Sequence, residues 1–256
     1  MEARVQKIIS QWGIASRREA EEMIKQSRVQ INGIVAHLGQ KVDPQRDTIC
    51  IDGKPISHSD RPDLIYLLLN KPAGVVSTCD DPHGRTTVLD LLPENLHKGT
   101  GIHPVGRLDA DSTGALILTN DGDLTFSLTH PSHNISKTYH VVVKGHPPET
   151  VLKMWREGVV LEGKKTRPAK VRLIERLANQ SKLEIILQEG RNRQIRRVAE
   201  QLGYPVIQLH RTAIGSIQLQ TPKAGFLGVG DYRHLTPEEI IFLKNQFNNG
   251  QLTMNN

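Results

Sequence analysis

The stretch GRLDADSTGALILTNDG, residues 106–122, places two carboxylates, Asp109 and Asp111, in a glycine-bounded polar run directly ahead of the apolar run ALIL. Loops at strand ends often carry function. Asp, Ser and Gly are equally the residues of ordinary turns, so this pattern alone leaves both readings open. Other strand-like runs surround it: LIYLLLN (64–70), TYHVVVKG (138–145), AKVRLIERL (169–177), KLEIILQ (182–188) and IGSIQLQ (214–220), separated by Gly, Pro, Asn and Asp clusters. Helical periodicity interrupts them near 123–130, 148–156, 192–202 and 237–247, and Thr236-Pro237-Glu238-Glu239 gives the last helix a capping-box start. Strands in series with few helices predict an α+β domain, not an alternating βαβ one.

The N-terminal quarter reads differently. Val5, Ile8, Ile9 and Trp12 recur on one helical face, and Gly13 supplies a left-handed stop. Ser16 and Glu19 have capping-box spacing ahead of a second helix with Ala20, Met23 and Ile24 inward and Arg17, Arg18 and Lys25 on its surface. Asn32-Gly33 and Asp52-Gly53 are hairpin dipeptides. The Pro- and Ser-rich run KPISHSDRPD, from Lys54 to Asp63, has little to bury and reads as a linker. The expected division is therefore 1–60 for a small module and its linker, 61–247 for a larger domain, and 248–256 for a fraying tail.

Composition narrows the function. The 33 Lys and Arg against 27 Asp and Glu give a net charge of +6, which favours a polyanionic partner without proving one. Hydrophobic residues at 37% suit a folded soluble chain. Cys50 and Cys79 form no C-x-x-C pair, and the N-terminus lacks an apolar signal region, so a reduced cytoplasmic location is expected. No apolar run is long enough to span a membrane. Walker, zinc, H-E-x-x-H and G-x-S-x-G patterns are missing. His130 and His133, in HPSH, read as surface residues, not metal ligands.

A second polar cluster lies in QEGRNRQIRRVAEQLG. Ile195, Val198, Ala199 and Leu202 share one helical face, and Arg193 and Arg197 fall opposite, where they can meet phosphate. Arg196 lies at the edge of the apolar stripe, so its guanidinium can reach a cleft and hold a carboxylate ionised. Alternation along KTYHVVVKG turns Tyr139 to the side of Val141 and Val143. It is either a core tyrosine or a platform for a base drawn out of its stack.

Together NKPAGVVST (70–78), GRLDADSTGALILTNDG, KTY (137–139) and EGRNRQIRRV (189–198) resemble, in content and order, the pseudouridine synthase family, in its RsuA/RluB/RluE/RluF ribosomal RNA branch with the RluB type nearest. The first 56 residues resemble the alpha-L RNA-binding motif first recognised in a small-subunit ribosomal protein. The resemblance implies a pseudouridine synthase fold, with a mostly antiparallel mixed sheet flanked by helices behind a small RNA-binding module. It implies conversion of a uridine of ribosomal RNA to pseudouridine, on the large subunit first and the small subunit as alternative. No cofactor or metal is implied, and the usual state is a monomer. By resemblance Asp109 is the nucleophile and Asp111 a spectator, Tyr139 stacks on the base, and Arg196 pairs with Asp109. Arg107, Arg17, Arg18, Lys25, Arg191, Arg193 and Arg197 are the expected RNA contacts. The family often has Met where Val198 stands and a bulkier aliphatic residue than Ala115. The rival readings are a non-catalytic assembly factor and a base-excising glycosylase.

Overall fold

A computed structural model describes residues 2–57, 61–129, 135–221 and 225–252. His130, His133 and the last four residues of the expected tail lie outside them. The elements of the N-terminal stretch are β1 (Ala3–Arg4), α1 (Val5–Gln11), α2 (Arg17–Lys25), β2 (Val29–Ile31), β3 (Ile34–Val35), β4 (Lys41–Val42), β5 (Ile49–Ile51) and β6 (Lys54–Ile56). Then follow β7 (Tyr66–Lys71), α3 (Glu94–His97), β8 (His103–Pro104), β9 (Thr113–Thr119), α4 (Gly122–Thr129), β10 (Lys137–Lys144), α5 (Glu149–Glu157), β11 (Val160–Leu161) and β12 (Lys164–Lys165). The chain ends with β13 (Lys170–Arg176), β14 (Gln180–Leu187), α6 (Gln194–Gln201), β15 (Val206–Ile214), β16 (Ile217–Gln218), β17 (Gln220–Thr221), β18 (Gly225–Phe226), β19 (Tyr232–His234) and α7 (Pro237–Leu252).

These elements form two compact units. The first holds Met1–Tyr66 together with Leu92–His103 and Leu118–Gly122. Its core gathers Val5, Ile8, Ile9 and Trp12 of α1, Ala20 and Ile24 of α2, and Val29, Ile31, Ile49 and Ile51 of the small sheet β3-β2-β5-β6. The capping box of α2 is complete: the Glu19 amide donates to Ser16 Oγ at 3.2 Å and the Ser16 amide donates to Glu19 Oε2 at 2.7 Å. The bond from the Ser16 amide, with the Ser16 side chain adding to it, holds the Glu19 carboxyl below its ordinary range. Both hairpin dipeptides take the left-handed conformations their turns need, with φ of 53° and 82° at Asn32-Gly33 and 49° and 75° at Asp52-Gly53. The expected linker instead begins with β6, because Pro55 sits opposite Cys50 on the outer edge of this sheet, where no ladder donor is required of it. The later segments join the unit through Asn120, which accepts from the Ile65 amide at 2.8 Å and donates to the carbonyls of Asp63 (2.8 Å) and Thr100 (3.1 Å).

The second unit is built on a nine-stranded sheet, with main order β13-β14-β10-β15-β9-β7-β19 and β16 and β8 flanking β15 and β9. Its pairings are antiparallel at β13-β14, β14-β10, β10-β15 and β7-β19, and parallel at β15-β9. One face of β10 and β14 (Val141, Val143, Leu183, Ile185) packs with Leu152 and Trp155 of α5 and Ile195, Val198 and Ala199 of α6. The predicted apolar face of α6 is thus the buried one. The expected strand IGSIQLQ is mostly turn and short pieces beyond its first residue, Ile214, which ends the nine-residue strand β15. Gln208, His210, Arg211 and Thr212 hide the apolar alternation of β15, which owes its place to pairing on both sides.

Candidate active site

The run 106–112 is held from below by residues 70–78, which explains why the two segments belong together. Ser77 Oγ donates to the Leu108 carbonyl at 2.9 Å, and the Gly74 amide donates to the Ala110 carbonyl at 2.7 Å. Lys71, with no exposed surface, donates to the carbonyls of Pro72 and Ser112, both at 2.9 Å, and reaches that of Ala110 at 3.4 Å. Burial pushes its ammonium down to about 8 despite the opposing charges of Asp111 and Asp109. A lysine closing the apolar run YLLLN was the available sign of this role.

Asp109 lies in the turn so formed, where the Ser112 amide donates to its carbonyl at 3.0 Å. Its carboxylate opens on a cleft of about 800 Å³ that Tyr139, Arg193, Arg196, Lys137 and Arg211 also line. Asp111 does not line the cleft and is half exposed. Of the paired acidic residues, Asp109 lines this substrate-sized space and Asp111 does not.

The arginines depart from the helical-wheel expectation. Arg193 precedes α6 with φ of 48°, outside the helix, so the 100° phase rule does not govern it. Its Nη1 lies 3.3 Å from Asp109 Oδ2 and its Nη2 3.2 Å from Asp111 Oδ2. Arg196, expected on Asp109, instead reaches the Asp111 carbonyl at 3.1 Å, Ser112 Oγ at 3.2 Å and Asp111 Oδ1 at 3.3 Å. Asp111 is thus no bystander but the brace between both arginines. Burial pushes its carboxyl up, yet the Arg193 hydrogen bond and the charges of Arg196 and Arg193 outweigh this and leave it below the usual range.

Tyr139 packs against the core cluster of α5 and α6 and also lines the cleft. Arg107 is exposed at the cleft. Arg191 spends its guanidinium on the Lys164 and Lys165 carbonyls at 2.9 and 2.6 Å, which makes it a brace of the β11-β12 hairpin, and Arg197 pairs with Glu162 at 2.7 Å. In the other unit Arg17, Arg18 and Lys25 are exposed on α2, Lys25 bonded to Glu22 at 2.6 Å.

Two cleft cations had gone unread. Lys137 stands two residues before Tyr139 and so on its side of β10, and burial, with the charge of Arg211 added, pushes it down to about 8. Arg211 shares the buried face of β15 with Leu209 and Ala213. Among the described residues no three His, Cys, Asp or Glu side chains are placed to share a metal ion, and no helix is long and apolar enough to cross a membrane.

The chain is similar to known proteins along most of its length. Residues 65–201 match the family described as RNA pseudouridylate synthase, and residues 3–47 match the S4 domain. The chain is 41% identical over 244 residues to ribosomal large subunit pseudouridine synthase B of Bacillus subtilis (strain 168), covering 94% of this chain and 95% of that one. It is 37% identical to the protein of the same name from Pseudomonas aeruginosa, over 95% of this chain and 62% of that one. A crystal structure of a pseudouridylate synthase superimposes with a TM-score of 0.66 at 32% identity, covering 94% of this chain and 99% of that one.

Proposed function

The chain belongs to the RNA pseudouridylate synthase family, and we propose that within it this enzyme isomerises a uridine of large-subunit ribosomal RNA, with Asp109 as the nucleophile. The observation that carries the assignment is the carboxylate of Asp109 opening on the cleft with Tyr139 in its wall and Arg193 at 3.3 Å. A guanidinium at that distance fixes the orientation of the carboxylate, which a nucleophile needs. The subunit preference draws on the two relatives named for the large subunit.

A structured RNA must give up the target base from its stack before a carboxylate can reach it. The S4 domain, through Arg17, Arg18 and Lys25, grips the phosphates, and Arg107 holds the strand beside the cleft. Tyr139 takes the flipped ring on its face. The C1′–N1 bond breaks, Asp109 secures the sugar, the uracil turns, and a bond from C5 to C1′ replaces the first. Arg193 holds the Asp109 carboxylate in position. The functional division is 1–60 for RNA binding and 61–247 for catalysis, the enzyme acting as a cytoplasmic monomer.

The test is pseudouridine mapping, by carbodiimide modification and primer extension, on large- and small-subunit transcripts incubated with the protein. A new stop on the large-subunit RNA is expected. A stop confined to the small-subunit RNA would move the substrate, and tight binding with no stop on either would leave a non-catalytic assembly factor. Free uracil in the supernatant would mark a glycosylase.

A further inference from the structure

Arg211 has no place in the chemistry above, yet its position is costly. Its residue is 5% exposed, its Nε donates to the Ala115 carbonyl at 2.6 Å, and its Nη2 is buried with no partner. Buried polar groups are nearly always bonded, and an orphan on a cation is the costliest kind. Arg211 is one of the residues that line the cleft. Arg211 is the cross-strand neighbour of Tyr139, the residue proposed to carry the base. Lys137 lines the same wall close enough for the two charges to oppose each other. Among the described residues neither cation has a carboxylate within ion-pairing distance.

The wall around them decides the ligand. Leu209, Ile214 and Tyr139 line it, so the place suits a flat, partly apolar ring carrying acceptor oxygens. A phosphodiester is fully charged and tetrahedral, and stays with the backbone at the cleft mouth. A flipped uracil, with O2 and O4 on its edge, is the part of the RNA that goes deep.

We propose that Arg211, assisted by Lys137, is a catalytic residue that donates a hydrogen bond to a uracil oxygen and stabilises the detached ring as an anion. The proposal rests on the isomerase reading. When the C1′–N1 bond breaks, its electron pair leaves with the ring and spreads over N1, O2 and O4, while Asp109 takes up the bond to C1′. A donor fixed to the Ala115 carbonyl meets more negative charge at that stage than in the bound uridine, so it lowers the barrier more than it tightens binding. A half-turn of uracil about its N3–C6 axis exchanges N1 with C5 and O2 with O4. The same donor therefore holds one oxygen before the turn and the other after it, and C5 arrives where N1 had been. The pair then forms the C5–C1′ bond as the Asp109 carboxylate departs, C5 loses its proton, N1 gains one, and the mass of the RNA is unchanged.

The test uses the full chain in excess over large- and small-subunit ribosomal RNA transcripts labelled with [5-³H]uridine, reading tritium release in a single turnover. RNA affinity is measured separately by filter binding. Arg211→Gln is expected to slow the single-turnover rate about 100-fold, the order found on removing one oxyanion-type donor, with Kd within threefold of wild type. Arg211→Lys, which keeps a cation but loses the Nε bond to Ala115, should recover about tenfold. Equal losses in folded Gln and Lys variants would overturn the proposal and make Arg211 an anchor of β9. Lys137→Met, which removes no backbone bond, should slow the rate about tenfold, and it decides the matter if both Arg211 variants fail to unfold cooperatively. A Lys137→Met rate within threefold of wild type would then sink the idea. Wild-type inactivity on both RNAs would overturn the isomerase reading itself and this proposal with it.

Discussion

Gly114, in the strand leaving Asp109, pairs with Arg211 of β15 and has no room for a side chain. Its φ is +107°, and a Cβ built there would lie 2.2 Å from the Arg211 carbonyl oxygen, 2.7 Å from its nitrogen and 2.9 Å from its carbonyl carbon. All three neighbours are backbone atoms of a strand paired in register with Gly114, so no side-chain rotation relieves the contact. Two costs add for Gly114→Ala: roughly 1–2 kcal/mol for an L-residue at such a φ and about 1–3 kcal/mol for overpacking a close-packed site. The sum, about 2–5 kcal/mol, should appear as a lower midpoint at unchanged slope in urea unfolding. Trp155 reports on this unit from the core beneath β10, and because the chain has two tryptophans a Trp12→Phe background isolates its fluorescence. Relief by sliding β15 would also shift Arg211 and, through its pairing, Tyr139, so the surviving folded fraction should isomerise RNA more slowly. A stability within about 0.5 kcal/mol of wild type, well under the smaller of the two costs, would refute the reasoning.

Two further predictions follow from charge. Replacing both Arg17 and Arg18 by Ala should weaken binding to any structured RNA alike and reduce the slope of log K against log salt by about 1–2, one phosphate contact each; titrations at four salt concentrations measure it, and an unchanged slope would remove α2 from the RNA interface. Lys137 titrates near 8 in the folded chain against an ordinary 10.5, so the unfolded chain holds its proton more firmly between those values. Wild type therefore bears the whole penalty below pH 8 and sheds it as pH rises toward 10.5. Lys137→Met should be more stable than wild type by up to about 3 kcal/mol at pH 7, by linkage at about 1.4 kcal/mol per pKa unit, with the advantage shrinking above pH 8. An advantage that grows with pH would contradict this sign.

Much of the fold was legible because local signals agreed with the final packing. The α1 stripe, the Ser16 and Glu19 box, the two hairpin dipeptides and the apolar face of α6 each carry their instruction within a few residues. β15 was illegible because its polar residues are accommodated by partners distant in sequence: Arg211 by the Ala115 carbonyl and His210 by Thr113 Oγ1 at 2.8 Å. The site divides the same way. Asp109 and Tyr139 stand in ordered motifs, and both line the cleft. The pairing of Arg193 with Asp109 could not, because a residue in the left-handed conformation ahead of a helix escapes the helical wheel. Arg191 was expected on RNA by resemblance; its guanidinium instead bonds two carbonyls of the β11-β12 hairpin, more than 25 positions away, and lies 3.4 Å from Glu189.

The two carboxylates of the 106–112 loop offer the most direct test of the account, since both are bound by Arg193 and only Asp109 opens on the cleft. Asp109→Asn and Asp111→Asn should each be incubated in excess with large-subunit ribosomal RNA, and pseudouridine quantified by mass spectrometry of the nucleosides. The account predicts no pseudouridine with Asp109→Asn at undiminished RNA affinity, and a slowed but complete reaction with Asp111→Asn, whose loss loosens the arginine brace alone. Pseudouridine formed by Asp109→Asn and abolished in Asp111→Asn would contradict it.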